Sequence, residues 1–514
     1  MRLPTLSLLR PSLLLLLLST SVLCLPTSTT TKKVTKTVFV TAAPTKDTHN
    51  KPQTKPVAAK GAPAPTPAVT PAQVPNAKTP PPANPPKPPT PPPKADTTPP
   101  KPPKLRRQQA VEVAECGKDS PGKKSCPNNA CCSFYGNCGI GDDFCGSPDP
   151  AAPCQKDYGR CGKSTAETPS CNGASAKARK VGYYLSYAYE RDCDASKPES
   201  MKTAGLTHIN FAFALFDGDN FDFYPQREGD EKLYASFTAL KSDKLQTWIA
   251  IGGGLFNNPD QPTKSNWATM SSTAASRATW IANLIKFMAK YGFQGADLDW
   301  EWPCDPTRGG TPADTKNQVL LLKELRAAFG TKYGLSSVLV TDYAALKDMD
   351  VKGMEPYVDF FNFMSYDYHT PVDAPKPDAQ ALSHTNITET DSKLVPLWHA
   401  GIKPAKINLG FALYGMTYQM KPTCLEAGCP YVAKGTAGKC SKAAGSLTNL
   451  EITRLVAAGG TKSVLLEDAL VKQTLYGGNQ LVLHDDTETL EMKTAFASKR
   501  CLGGTMYWSV DQGL

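Results

Sequence analysis

The sequence predicts an α/β fold: a (β/α)8 barrel with an α+β subdomain inserted between its seventh and eighth strands. A small disulfide-rich domain and a disordered Pro/Thr/Lys-rich N-terminal segment precede it. Three observations carry this reading. From about Lys180 onward, eight short apolar stretches alternate with helical ones. Eight cysteines crowd between residues 116 and 161. Residues 26–107 hold 23 of the chain's 46 prolines.

The chain opens with Met1-Arg2 and runs into Leu13–Leu18, a basic end followed by an apolar stretch too short to span a bilayer. Residues 1–24 therefore read as a signal peptide cleaved after Cys24, and the protein is expected to be secreted, extracellular or cell-wall associated. With no later run of about 18 apolar residues, no membrane anchor is expected. An oxidising destination makes disulfides the default for the remaining 15 cysteines, and their odd number leaves one thiol over.

Residues 25–107 cannot bury a core and should be extended and polyproline-like, with threonines and prolines suited to O-glycosylation. Two readings stay open: a stalk, or a pro-segment cut after the dibasic Arg106-Arg107. This stretch holds 12 Lys and 2 Arg against Asp47 and Asp96, and Arg2 and Arg10 precede it. The net charge of +10 thus leaves four negative charges on the rest of the chain. The basicity belongs to a tail, and no nucleic-acid partner is expected.

Residues 108–164 form the small domain, which is too short to hold together by burial alone. A linker is placed at 165–179 and the large domain at 180–514. Its strand candidates are Val181–Leu185, His208–Leu215, Thr247–Ile251, Gly295–Asp299, Val338–Thr341, Val358–Met364, Ile407–Phe411 and Gly504–Trp508. Helices are expected over Arg277–Tyr291 and Thr315–Tyr333. The insertion is placed at about 416–500, because that gap is too long for one crossover. Only six residues follow Trp508, so a last barrel helix is not expected. Asn386-Ile-Thr388 matches an N-glycosylation acceptor.

The stretch Phe293–Pro303 is the most informative in the chain. On a strand, Asp297, Asp299 and Glu301 share one face at intervals of about 6–7 Å, while Leu298 and Trp300 share the other. Near the C-terminal mouth of a parallel barrel, three crowded carboxylates repel, so at least one should keep a proton near neutrality. That is what a general acid needs. A solvated acidic edge fits poorly with the flanking Leu298, Trp300 and Trp302. A metal site fits poorly too, because no histidine lies nearby and the spacing matches no metal motif; neither metal nor cofactor is expected.

This stretch resembles the D-G-x-D-x-D-x-E motif of family 18 glycoside hydrolases, the chitinase family. Further pieces resemble that family in order: Gly182-Tyr-Tyr184, Asn210-Phe-Ala-Phe213, Ala250-Ile-Gly-Gly253, Met364-Ser-Tyr-Asp-Tyr368, Gly410–Gly415 and Gly504–Trp508. The branch resembled is that of fungal chitinases related to killer-toxin subunits. The resemblance implies an endo-acting enzyme on β-1,4-linked N-acetylglucosamine, working by substrate-assisted retaining catalysis as a monomer. Glu301 would be the proton donor and Asp299 the partner of the substrate amide. Asp297 would tune Asp299 through a shared proton, and Tyr366 would orient the acetamido oxygen. Trp508, Met364, Asp367, Tyr183, Phe213, Tyr414 and Trp302 would bind substrate.

In the small domain, Cys131-Cys132-Ser133-Phe134-Tyr135-Gly136-Asn137-Cys138-Gly139 resembles a hevein-like chitin-binding domain. That likeness implies the pairs Cys116–Cys132, Cys126–Cys138, Cys131–Cys145 and Cys154–Cys161, and sugar contacts from Ser133, Tyr135 and Phe144. Chitin or N-acetylglucosamine oligomers are the expected partners. The sequence departs from the family pattern at Gln294, Ala250, Met416 and His369-Thr-Pro371. Gln294 and Ala250 are expected to weaken the acid network, and Met416 to remove a sugar contact. A chitin-binding effector or killer-toxin-like subunit with weak or no hydrolysis is the alternative; an endo-glycosidase acting on N-glycans is a third reading.

Overall fold

A computed structural model describes residues 114–146, 153–161 and 168–513. The expected signal peptide and Pro-rich segment lie outside these residues. Eight parallel strands close a barrel in chain order: β1 Arg179–Leu185, β2 His208–Phe216, β3 Gln246–Gly252, β4 Gly295–Asp299, β5 Gly334–Leu339, β6 Phe360–Phe363, β7 Ile407–Ala412 and β8 Gly504–Trp508. Closure comes from β1, which pairs with both β8 and β2.

The strands are buried on both sides. Inward residues such as Val181, Ala250 and Met506 fill the barrel, and outward ones such as Ile209, Leu298 and Leu409 join the core beneath the helices. Around the barrel lie α1 Glu231–Thr238, α2 Ala274–Tyr291, α3 Asp314–Phe329, α4 Ile387–His399 and α5 Thr487–Lys499. Helix α2 begins at a Thr273 capping box and ends at left-handed Gly292. Asn386 caps α4, its Oδ1 accepting from the N–H groups of Thr388 and Glu389, so the glycosylation-type motif is engaged in local structure.

Several boundaries differ from expectation, three of them in ways that bear on the architecture. Strand β5 starts at Gly334 rather than Val338, because the polar Ser336 and Ser337 hide its start from a search for apolar runs. The inserted sheet begins at Tyr414 and ends with Gln480–His484, whereas α5 packs on β7 and β8 as an ordinary barrel crossover. Part of the supposed linker is packed structure. Cys171 is bonded to Cys501, its N–H donates to Lys499 O, and Ala176 is fully buried. After β8 the chain makes a short turn, Val510–Gln512, whose Asp511 accepts the Leu185 N–H and pairs with Arg191.

Seven disulfides join described cysteines. The small domain pairs Cys116–Cys132, Cys126–Cys138, Cys131–Cys145 and Cys154–Cys161. Cys193–Cys440 straps the loop after β1 to the inserted subdomain, reinforced by Asp194–Arg454 and Asp192–Lys442 ion pairs. Among the described residues the unpaired thiol is Cys304, half-buried against Thr315.

Cys171–Cys501 closes a span of 330 residues. Replacing both by serine is expected to lower stability by about 2–4 kcal/mol, read as a shifted denaturant midpoint. An unchanged midpoint contradicts the assignment.

Candidate active site

Strand alternation sets the site. Leu298 and Trp300 turn outward into the helical core, where Trp300 stacks on Trp267 at 5.3 Å. Asp297 and Asp299 turn inward and are almost fully buried. Neighbouring strands supply Asp297 with donors. Tyr183 on β1 donates to Oδ2 at 2.6 Å, Ser336 on β5 to Oδ1 at 2.5 Å, and Asn362 on β6 to Oδ1 at 3.3 Å. Behind them runs a polar relay: Asn408 Nδ2 donates to Asn362 Oδ1, and Arg179 Nε donates to Asn408 Oδ1. Burial raises the Asp297 carboxyl above its usual range, and the three donors pull against that rise.

Asp299 lies within hydrogen-bonding reach of Glu301, while Asp297 is surrounded by donors. Burial, the Glu301 charge and that hydrogen bond push Asp299 well up. Glu301 is raised as well, first by burial, with Asp367 adding to the rise and Arg308 opposing it. Arg308 Nη1 donates to the carbonyls of Glu301 and Gly254, fixing both loops. Gly252 permits the close approach of β3: it has φ +100°, and a Cβ there would lie 2.5 Å from Asp299 O.

These carboxyls open into a cavity of about 430 Å³. Asp299, Glu301, Tyr183, Phe213, Met364, Tyr366, Asp367 and Trp508 line it. Trp508 packs against Tyr183 at 5.3 Å and Phe213 at 5.8 Å. A second hollow of about 700 Å³ shares Tyr187, Gln226 and Leu255 with it, so the groove continues toward the Cys193–Cys440 strap. A larger hollow, about 940 Å³, lies apart from the three carboxylates, between α5 and the inserted subdomain.

Two expected binding residues sit elsewhere. Tyr414 is buried behind the wall and donates to Asp367 Oδ1 at 2.7 Å, and Trp302 packs partly buried against the main core. Asp367 accepts that bond beside His384. Burial pushes its carboxyl up, but these contacts outweigh it and hold it below the usual range.

The departures from pattern sort differently from expectation. Gln294 lies outside the acid network: its Oε1 accepts the Thr247 N–H at the start of β3. Met416 is buried in the core of the inserted sheet, and His369 pairs with Glu389 on α4. Ala250 does stand beside Asp297 in register, and Asp299 Oδ1 has no hydrogen-bond partner. Sequence reading missed Ser336, Asn362 and Arg308.

In the small domain Tyr135 is 76% exposed and Phe134 is also exposed, with the two rings edge to face. Ser133 is buried, its hydroxyl accepting the Asn137 N–H, and the Phe144 ring lies over Gly139.

A carboxyl raised on folding holds its proton in the native state to higher pH than in the unfolded chain. Stability therefore falls as pH rises from about 4 through the raised values of Asp299 and Glu301. Each unit of that rise corresponds to about 1.4 kcal/mol. Asp299→Asn is expected to be more stable than the parent at pH 7 and to lose less stability between pH 4 and 8 in denaturant titrations; parallel pH curves contradict this.

Comparison with known proteins places the site in a family. The description "Glycosyl hydrolases family 18" fits residues 179–513, and "Chitin recognition protein" fits residues 115–166. Secreted chitinase LysM12 of Penicillium expansum is 26% identical over 444 residues, covering 78% of this chain and 29% of that protein. The killer toxin subunits alpha/beta of Kluyveromyces lactis are 29% identical, covering 63% and 28%. The chain thus spans under a third of the length of these two relatives. Catalytic domain 2 of the Ostrinia furnacalis group II chitinase superposes with a TM-score of 0.57 at 25% identity, over 65% of this chain and 90% of that one. Human YKL-39, described as a pseudo-chitinase with retained chitooligosaccharide binding, shares the fold at a TM-score of 0.55 and 23% identity, over 65% and 93%. With its buried acid strand and closed eight-stranded barrel, the chain belongs to the family 18 glycosyl hydrolases and carries a chitin recognition domain.

Proposed function

We propose that the chain is a secreted, endo-acting chitinase that hydrolyses β-1,4 linkages between N-acetylglucosamine units by substrate-assisted retaining catalysis. The observation that carries this reading is the Asp299–Glu301 pair, hydrogen-bonded and raised, in a cavity lined by Trp508. Seven disulfides agree with an oxidising destination, and the continuing groove agrees with a substrate longer than one sugar.

In the proposed reaction, a pyranose ring stacks on Trp508. Glu301 gives its proton to the glycosidic oxygen as the bond to the anomeric carbon breaks. The substrate's own acetamido oxygen attacks that carbon from the opposite face, forming an oxazolinium ion. Asp299 then turns from Glu301 to the acetamido N–H and balances the positive charge. The Tyr366 hydroxyl orients the acetamido group. Water, deprotonated by Glu301, opens the ring and restores the acid. Asp297, held by Tyr183, Ser336 and Asn362, keeps a second carboxyl behind the pair.

One observation favours a second reading, a chitin binder with weak or no hydrolysis. Ala250 brings no hydroxyl to the network, and Asp299 Oδ1 is unpartnered.

Glu301→Gln is expected to lower turnover of chitin oligomers by about 10²–10⁴-fold while binding persists. If parent and variant are equally inactive and both bind, the second reading replaces the first. The working enzyme needs a protonated Glu301, so activity falls on the alkaline side, and the Asp367 charge helps hold that proton. Asp367→Asn is expected to move the alkaline limb of the pH–rate profile to lower pH; a shift to higher pH counts against the assignment.

A further inference from the structure

The small domain is anchored to the barrel by a specific set of contacts. Asn128 and Asn129 both adopt left-handed backbone, with φ of 52° and 53°. This turn aims their amides at the barrel. Asn128 Nδ2 donates to the carbonyls of Leu346 and Met349, each at 3.0 Å, and Asn129 Nδ2 donates to the carbonyl of His399 at 3.2 Å. His399 is the last residue of α4, and Leu346 ends the short helical turn Tyr343–Leu346 after β5. Leu346 and Met349 already accept backbone N–H groups within the barrel, so the Asn128 amide adds a second donor to each of these carbonyls.

The interface also has an apolar part and an ionic part. Tyr343 leaves the barrel surface and joins the disulfide cluster of Cys116, Cys126 and Cys132. Glu115 pairs with Lys347 at 2.8 Å while also accepting the Cys138 N–H. The hydrogen bond from Lys347, the largest influence, helps hold the Glu115 carboxyl below its usual range. The Phe134–Tyr135 pair takes no part in these contacts and stays exposed.

We propose that the Asn128–Asn129 turn and Tyr343 dock the small domain onto the barrel as one rigid unit, presenting its exposed aromatic face and the catalytic groove to the same chitin surface. The proposal rests on the chitinase reading above. It differs from a module swinging on a flexible tether, because the two sites keep one separation. Once one site is engaged, the other meets polymer at a high effective concentration with little further ordering cost. A soluble oligomer too short to reach both sites gains nothing from docking.

The test uses the full chain with Tyr343→Ser combined with Asn128→Gly and Asn129→Gly; glycine keeps the left-handed turn and removes the amides. Small-angle scattering reads domain mobility, and hydrolysis is measured on a soluble chitin hexamer and on insoluble chitin. The variant is expected to become more extended, to hydrolyse the hexamer within about twofold of the parent, and to lose about tenfold on insoluble chitin. Equal rates on insoluble chitin despite undocking overturn the proposal. So does a parent scattering profile that fits two independently moving bodies, which needs no variant. If the parent fails to cleave the hexamer, the chitinase reading falls. Docking is then judged by affinity for insoluble chitin, where equal binding of parent and variant overturns it.

Discussion

Two aspartates held inside a barrel, away from water, set the terms for much of this molecule. A buried carboxylate costs several kcal/mol unless donors surround it or a proton neutralises it. The protein uses both answers on one strand. Asp297 receives hydroxyl and amide donors from β1, β5 and β6, and the Asp299 carboxyl, raised by burial and by Glu301, holds its proton to higher pH. That solution dictates polar residues at positions that a barrel interior would otherwise fill with aliphatic ones. It extends through Asn362 and Asn408 to Arg179, so the strands below the acids are joined by side chains as well as by backbone.

The periphery serves to hold this centre still. Arg308 ties the loops that carry Glu301 and Gly254. Tyr414 and His384 steady Asp367 from behind the cavity wall. The strap from Cys193 to Cys440 joins the loop after β1 to the inserted subdomain, on the side toward which the groove extends. Catalytic geometry tolerates little drift, and here most of the supporting contacts come from strands or from covalently tethered loops.

Much of this was legible in the sequence, because alternation on a strand is a strong constraint. Five consecutive residues, Asp297 to Glu301, suffice to assign inward and outward faces, and the structure puts Leu298 and Trp300 in the outer core. Ser336 and Asn362 were not legible. A search for apolar runs starts β5 after Ser336 and finds the strand of Asn362 without saying why that residue is polar; the reason in both cases is Asp297, far away in the chain. Gln294 misled for the opposite reason: it sits in the motif, but it stands three positions before Asp297, an odd offset that alternation assigns to the other face, and its amide serves the entrance of β3. Trp302 follows the acid in sequence yet packs into the core, since the strand has ended and alternation no longer applies.

The barrel closes where β8 meets β1, a seam between the two ends of the domain. Such a seam is where a ring of strands would first peel apart, because no crossover joins its two sides. Cys171 lies just before β1 and Cys501 just before β8, so their bond runs across the base of the seam. Asp511, just past β8, grips the far end of β1 through the Leu185 N–H and Arg191. Fastened at both ends, the seam resists fraying, and a protease would have to wait for a cooperative opening of the whole ring rather than a loose edge.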